Sequence, residues 1–263
     1  MDLQLKGKVA LVTGASRGLG YAAALLLAEE GARVAINSRS APALAEARQS
    51  LGKATGAEVL DIPADIVALE SPEAVVRAVV DRFGGLDILI ANAGGPPAGS
   101  FESLSDADWQ RALDLSFLSQ MRLIRAALPH LRRSQTPSVL TLTSYSVKQP
   151  IPNLVLSNSV RLATIGLTKS LALELGREGI RFNSILPGWT ETERVGHLFE
   201  DRAQRSGASV SAEMDKQTAE IALGRMGTPR EFANAAIFLV SPAASYITGL
   251  MMPVDGGVIK STL

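Results

Sequence analysis

The stretch Thr13-Gly14-Ala15-Ser16-Arg17-Gly18-Leu19-Gly20 lies between two apolar segments of unequal length. Before it, Val9 to Thr13 is short and rich in β-branched residues; after it, Tyr21 to Glu29 is long enough for a helix. The glycines therefore fall at a strand-to-helix turn. Gly14 permits the tight bend, Gly18 lets the backbone approach a pyrophosphate, and Gly20 lets the helix pack close to the strand. Ser16, Arg17 and Leu19 complete the turn, where unpaired N–H groups and the helix dipole favour an anion. A glycine turn placed directly after the first strand predicts a dinucleotide site.

Further short apolar runs occur at Arg33 to Asn37, Glu58 to Leu60, Leu86 to Ala91, Ser138 to Thr143, Arg181 to Leu186 and Leu250 to Val254. With the first, they predict seven strands. The segments between them open on helix starts: Ser71 before Pro72, Ser105 with Asp108 three residues on, and Thr228 before Pro229 with Glu231 three residues on. Strand and helix in alternation imply right-handed crossovers and a parallel sheet covered on both faces. The expectation is an α/β, doubly wound, seven-stranded Rossmann-type fold forming a single domain over residues 1–263. Thr190 to Leu223 stands apart, being polar and rich in Arg, Glu and Ser around Ser206-Gly207-Ala208-Ser209. It reads either as a helical substrate lid or as an ordinary solvated excursion.

Composition excludes several classes. Lys plus Arg (26) equal Asp plus Glu (26), so there is no basic surplus to steer the chain to nucleic acid. No cysteine is present, which removes disulfides, thiolate catalysis and Cys-based zinc sites, and His130 and His197 alone make a metal site improbable. No stretch reaches the roughly 18 apolar residues of a membrane span. The N-terminal residues contain no signal-peptide pattern, and a cytoplasmic protein without a membrane partner is expected.

The end of the second strand indicates the cofactor. An unphosphorylated adenosine ribose is usually met there by a carboxylate, whereas this chain has Asn37-Ser38-Arg39. Arg39, together with Arg17 in the glycine turn, offers two guanidinium groups to a ribose phosphate. NADP(H) is favoured, and NAD(H) stays open.

The glycine turn, Asp65 after the third strand, Asn92-Ala93-Gly94 after the fourth, and Pro187-Gly188 with Thr190 and Thr192 after the sixth resemble the short-chain dehydrogenase/reductase family. Gly166 to Leu175, and Tyr246-Ile247-Thr248-Gly249 with Val254-Asp255-Gly256-Gly257, are similar to the family's acyl-carrier-protein reductases. The resemblance implies that Asp65 and Ile66 flank the adenine. It places Asn92, Ala93 and Gly94 along the ribose and Pro187, Gly188 and Thr190 on the nicotinamide side. It also implies a homo-oligomer, expected to be a tetramer, paired through helices Asp106 to Leu128 and Asn153 to Leu175.

The family's chemistry uses an Asn, a Ser, a Tyr and a Lys four residues after the Tyr. Here Ser144 matches the Ser, but the Asn, Tyr and Lys positions fall on Ser116, Ser157 and Arg161. An aliphatic hydroxyl is a far poorer acid than a phenol, and a guanidinium stays protonated and relays no proton. Tyr145 and Lys148 offer a substitute phenol and ammonium, but Pro150 and Pro152 keep their segment from being helical. An exposed loop tyrosine is the reading preferred over a relocated acid. The expected function is an NADP(H)-dependent oxidoreductase acting on a small carbonyl or alcohol with an atypical site at Ser144, Ser157, Arg161 and Tyr145. The alternative is a catalytically silent nucleotide-binding homologue.

Overall fold

The computed structural model describes residues 1–262. Strand β1 (Val9–Thr13) is buried throughout and lies between β2 (Arg33–Ser38) and β4 (Ile88–Ala91). Strands β3 (Val59–Pro63), β5 (Ser138–Leu142), β6 (Arg181–Pro187) and β7 (Met251–Val254) complete a seven-stranded sheet in the order β3-β2-β1-β4-β5-β6-β7. Every neighbouring pair is parallel. All seven predicted strands form, with ends shifted by one to three residues at half of the boundaries.

Alternation along β1 shows why both faces must be covered. Ala10 and Val12 pack with α1 (Gly18–Glu29), α2 (Ala41–Thr55) and α9 (Pro229–Val240) through Leu27, Leu44 and Phe232. Val9 and Leu11 point the other way, onto Val79 of α3 (Ser71–Phe83), Leu123 of α5 (Ser119–Leu131) and Ala172 of α6 (Val155–Leu175). A strand buried on both sides carries no polar alternation, which is why these runs are continuously apolar. Chain order reverses between β1 and β4, and the crevice beyond their C-terminal ends is the topological switch point of such sheets.

The helix starts hold in part. Ser105 and Thr228 each form a full capping box, opening α4 (Asp106–Leu113) and α9. Ser71 does not act as a cap: α3 begins at Ser71 itself, after Glu70, and no side chain caps it. The predicted helix from Asp106 to Leu128 is α4 and α5 joined by a π-helical turn, Asp114–Leu118. Two helices, α7 (Glu193–Ser206) and α8 (Val210–Thr218), occupy the polar stretch after β6 and are separated by Gly207 in the left-handed region. Among the described residues no helix is long and apolar enough to cross a membrane.

Candidate functional site

The glycine turn is built as its spacing requires. Gly14 has φ 59°, and a Cβ there would stand 2.8 Å from Asn92 Nδ2. A Cβ on Gly20 would collide with the Gly14 carbonyl oxygen, so α1 can meet β1 only through glycine. Around Gly18 the space is open, the nearest atom being Thr192 Cγ2 at 3.7 Å. Asn92 fastens the turn to β4: its Nδ2 donates to Gly14 O (3.1 Å), and its backbone N–H and carbonyl pair with Thr13 Oγ1 (3.0 and 2.7 Å). Helix α1 has no side-chain cap and no acidic residue in its first turn, so its leading N–H groups remain available to an anion.

The remaining predicted contacts line the same rim. Asp65 is exposed and accepts from Val67 N, while Ile66 beside it is buried. Gly94 is exposed with nothing near its Cβ position, whereas Ala93 is half-buried. Pro187 ends β6, and Gly188 is required by packing, since a Cβ would lie 2.6 Å from Asp255 Cα. Thr190 is buried, its hydroxyl directed to Gly188 O; Thr192 caps α7 by accepting from Val195 N. Arg39 is exposed and makes no ion pair among the described residues. Arg17 is engaged: its Nη1 donates to both carboxylate oxygens of Glu193 at 2.6 Å, linking the turn to α7. His197 lies on the surface between Glu200 and Glu193, whose carboxylates raise its pKa.

At the C-terminal end of β5 the polar groups converge. Ser144 Oγ accepts from Ser146 N at 3.1 Å. Ser157 and Arg161, one turn apart on α6, are both buried, and Arg161 Nε donates to Ser157 Oγ at 3.2 Å. Arg161 Nη1 donates to the carbonyls of Leu142 (3.3 Å) and Thr143 (3.0 Å). Its pKa falls to about 10, chiefly through burial and then through the nearby positive charge of Arg194. Ser146 Oγ lies 3.5 Å from Ser157 Oγ. Ser116 sits in the π-helical turn, almost fully buried; its carbonyl accepts from Thr164 Oγ1 at 2.8 Å, and its own hydroxyl has no partner among the described residues.

Tyr145 corrects an expectation, for it is buried rather than an exposed loop tyrosine. Its hydroxyl accepts from Trp189 Nε1 at 2.9 Å, within an apolar cluster that includes Ile151, Phe199 and Met226. Burial pushes its pKa up to about 12, so its proton is held more firmly than in a free phenol. The prolines leave it on a single 3₁₀ turn, Tyr145–Val147, while Lys148 is exposed. Three residues escaped the sequence reading: Ser146, Trp189 and Arg194. Arg194 donates to the carbonyls of Gly95 (3.3 Å) and Pro96 (3.1 Å), fastening α7 across the loop after β4. Only the Trp had a local signal, standing directly after Pro187-Gly188.

A parallel sheet with an anion-ready glycine turn at its switch point, and hydroxyl and guanidinium groups at the next strand ends, defines a dinucleotide-binding Rossmann protein. The family model described as enoyl-(acyl carrier protein) reductase matches residues 14–259, and the chain belongs to this family of short-chain dehydrogenases/reductases. It is 35% identical over 258 residues to a 3-oxoacyl-[acyl-carrier-protein] reductase of Vibrio cholerae, covering 97% of this chain and 99% of that one. The L-sorbose reductase of Gluconobacter frateurii, solved with NADPH and L-sorbose, superposes with a TM-score of 0.94 at 32% identity, covering 99% of this chain and 100% of that chain. An NADPH-bound short-chain oxidoreductase of Pseudomonas aeruginosa, described as containing an atypical catalytic center, gives 0.89 at 33% identity, covering 97% and 98%.

Proposed function

We propose that this chain is an NADP(H)-dependent oxidoreductase of small carbonyl or hydroxyl compounds that works without a phenolic acid. The observation that carries the proposal is the bond from Arg161 Nε to Ser157 Oγ. Arg161 has donors only, so Ser157 must accept from it, and the serine's own O–H is left to point elsewhere. Ser144 is constrained in the same way, because its oxygen accepts from the Ser146 N–H. Two hydroxyl protons beside a buried cation suit a substrate oxygen as it gains negative charge.

The glycine turn and Arg39 would hold NADP(H), which when bound would supply or accept a hydride. The fit rests on the open space at Gly18, the uncapped start of α1, and the exposed Arg39 where a carboxylate would otherwise stand. Reductases of similar fold solved with NADPH support the same choice. In the direction of reduction, Ser144 and Ser157 hydrogen-bond the substrate oxygen and Arg161 stabilises its charge through Ser157. Water then supplies the proton, since the Tyr145 phenol is buried in an apolar cluster and its pKa is raised. Helices α7 and α8 act as the lid over residues 190–223, held to the rim by Arg17–Glu193 and by Arg194 on Gly95 and Pro96.

A second reading is a nucleotide-binding homologue without turnover, favoured by the want of any acid of neutral pKa at β5. A panel of ketones and alcohols tested with NADPH and NADH, read by nicotinamide absorbance, separates the two. Slow turnover of at least one substrate is expected; tight NADPH binding with no turnover of any would establish the second reading. Calorimetry tests the cofactor: NADPH should bind more tightly than NADH, and Arg39→Asp should weaken NADPH far more than NADH. NADH as the tighter ligand of the unmodified protein would refute the assignment.

A further inference from the structure

Arg161 carries a charge that the fold does not balance. It is 7% exposed, and its hydrogen-bond acceptors are all neutral: two backbone carbonyls and one serine hydroxyl. No carboxylate pairs with it among the described residues. Buried ions are ordinarily paired, because desolvating an isolated charge is costly. Its second terminal nitrogen, Nη2, makes no hydrogen bond among the described residues, yet it is not one of the fully enclosed orphaned polar atoms. That nitrogen therefore keeps donors the folded chain does not use, on the same guanidinium that bonds Ser157.

A second guanidinium reinforces the first. Arg194, at the start of α7, is held over the loop after β4 by the carbonyls of Gly95 and Pro96, and β4 is the sheet neighbour of β5. Its charge acts on Arg161 and lowers the pKa further, the opposite of what a counter-ion would do. The adjacent carboxylate, Glu193, is turned away onto Arg17 and His197. The dinucleotide phosphates belong at β1, two strands from β5, about 10 Å away at ordinary strand spacing. They would leave the pair at β4 and β5 uncompensated.

We infer that the substrate carries a carboxylate, an oxo acid or hydroxy acid in free form, whose negative charge is held between Arg161 Nη2 and Arg194 while its carbonyl or hydroxyl faces Ser144 and Ser157. A carboxylate accepts charge-assisted bonds from both guanidiniums, which an ester or thioester of the same acid does not. This inference rests on the oxidoreductase reading above and names its substrate class.

The test is a calorimetric titration of acetoacetate and of ethyl acetoacetate into the protein saturated with NADP⁺, repeated without nucleotide. Acetoacetate should bind about tenfold more tightly than the ester or better, as expected for a charge-assisted pair. Arg194→Met and Arg161→Met should each bring that ratio to about twofold or less, whereas Arg133→Met, just past the C-terminal end of α5, should leave it unchanged. Equal binding of acid and ester, no binding of the acid, or an undiminished ratio in folded Arg194→Met protein overturns the inference. Should Arg161→Met fail to fold, Arg194→Met decides, because that side chain lies on the exposed rim. Failure of NADPH to bind, with the acid still preferred by the nucleotide-free protein, refutes the oxidoreductase reading and leaves the anion site standing.

Discussion

At the residue scale the site turns on what Ser157 can do in place of a phenol. With its oxygen fixed by Arg161, it can donate a hydrogen bond but cannot yield a proton near neutral pH. Turnover of a neutral ketone should therefore be slow. General acid catalysis typically contributes about 10²–10⁴-fold, so Ser157→Tyr combined with Arg161→Lys should raise reduction of a neutral ketone within that span. Ser157→Ala should lower whatever rate the unmodified protein shows by about tenfold or more, as loss of an oxyanion donor does. Tyr145→Phe should leave the rate within about twofold, because that phenol is buried in an apolar cluster with a raised pKa and the change is to a near-isostere. Steady-state kinetics of the three variants, with NADPH affinity measured alongside, would refute this mechanism if Tyr145→Phe abolished activity while Ser157→Ala preserved it. Ser157, Arg161 and Tyr145 were all singled out from the sequence. The burial of Tyr145 was not, since its partner Trp189 lies 44 residues away in sequence.

Element ends are where local sequence speaks most clearly. Thr228 and Glu231 close a capping box on α9, and both residues were recognisable from their spacing. Replacing Thr228 by Ala should cost about 1 kcal/mol of stability, measurable by urea unfolding. Hydrogen bonds and charge from Arg225, then the backbone and hydroxyl of Thr228, hold the Glu231 carboxyl well down, from an ordinary 4.5 to about 2. A folded-state pKa below the unfolded one contributes stability that is fully present above about 4.5 and is lost as pH falls toward 2. Glu231→Gln should accordingly flatten the acid dependence of stability across that window, and an unchanged slope in acid titrations would contradict the assignment. The π-helical turn at Asp114–Leu118 had no such local signature. One extra residue in a helical turn is a matter of how Ser116 O meets Thr164 across α6, not of spacing within the segment.

On the scale of the whole molecule, the two faces of the sheet are filled, yet α6 still presents apolar surface outward. Leu162 is 50% exposed and Leu173 75%, with Gly166 between them leaving open space where a side chain would be. Leu167 and Leu171 of the same helix pack inward, so its apolar residues divide between core and surface. A flat face of this kind suits the same helix of a second copy, and homo-oligomers, a tetramer first, are expected. Light scattering at micromolar concentration should give a multiple of the chain mass, and Leu162→Glu with Leu173→Glu should reduce it to the monomer. A monomeric mass for the unmodified protein would rule the assembly out.

Periodicity and glycine placement alone determined the strands, their parallel arrangement and the position of the nucleotide crevice. These depend on contacts within one βαβ unit and on backbone geometry that only glycine allows, as Gly14 and Gly20 show. That Ser157 and Arg161 stand where the resemblance implies a Tyr and a Lys was likewise read from the sequence alone. Tertiary structure decided the rest. The pairing of Arg17 with Glu193 and the grip of Arg194 on Gly95 and Pro96 join residues from separate strand ends, and Arg161 is left without a counter-ion among the described residues. Whether a guanidinium is solvated, paired or left as a buried charge depends on which groups the folded chain brings within a few ångströms, and no local pattern encodes that.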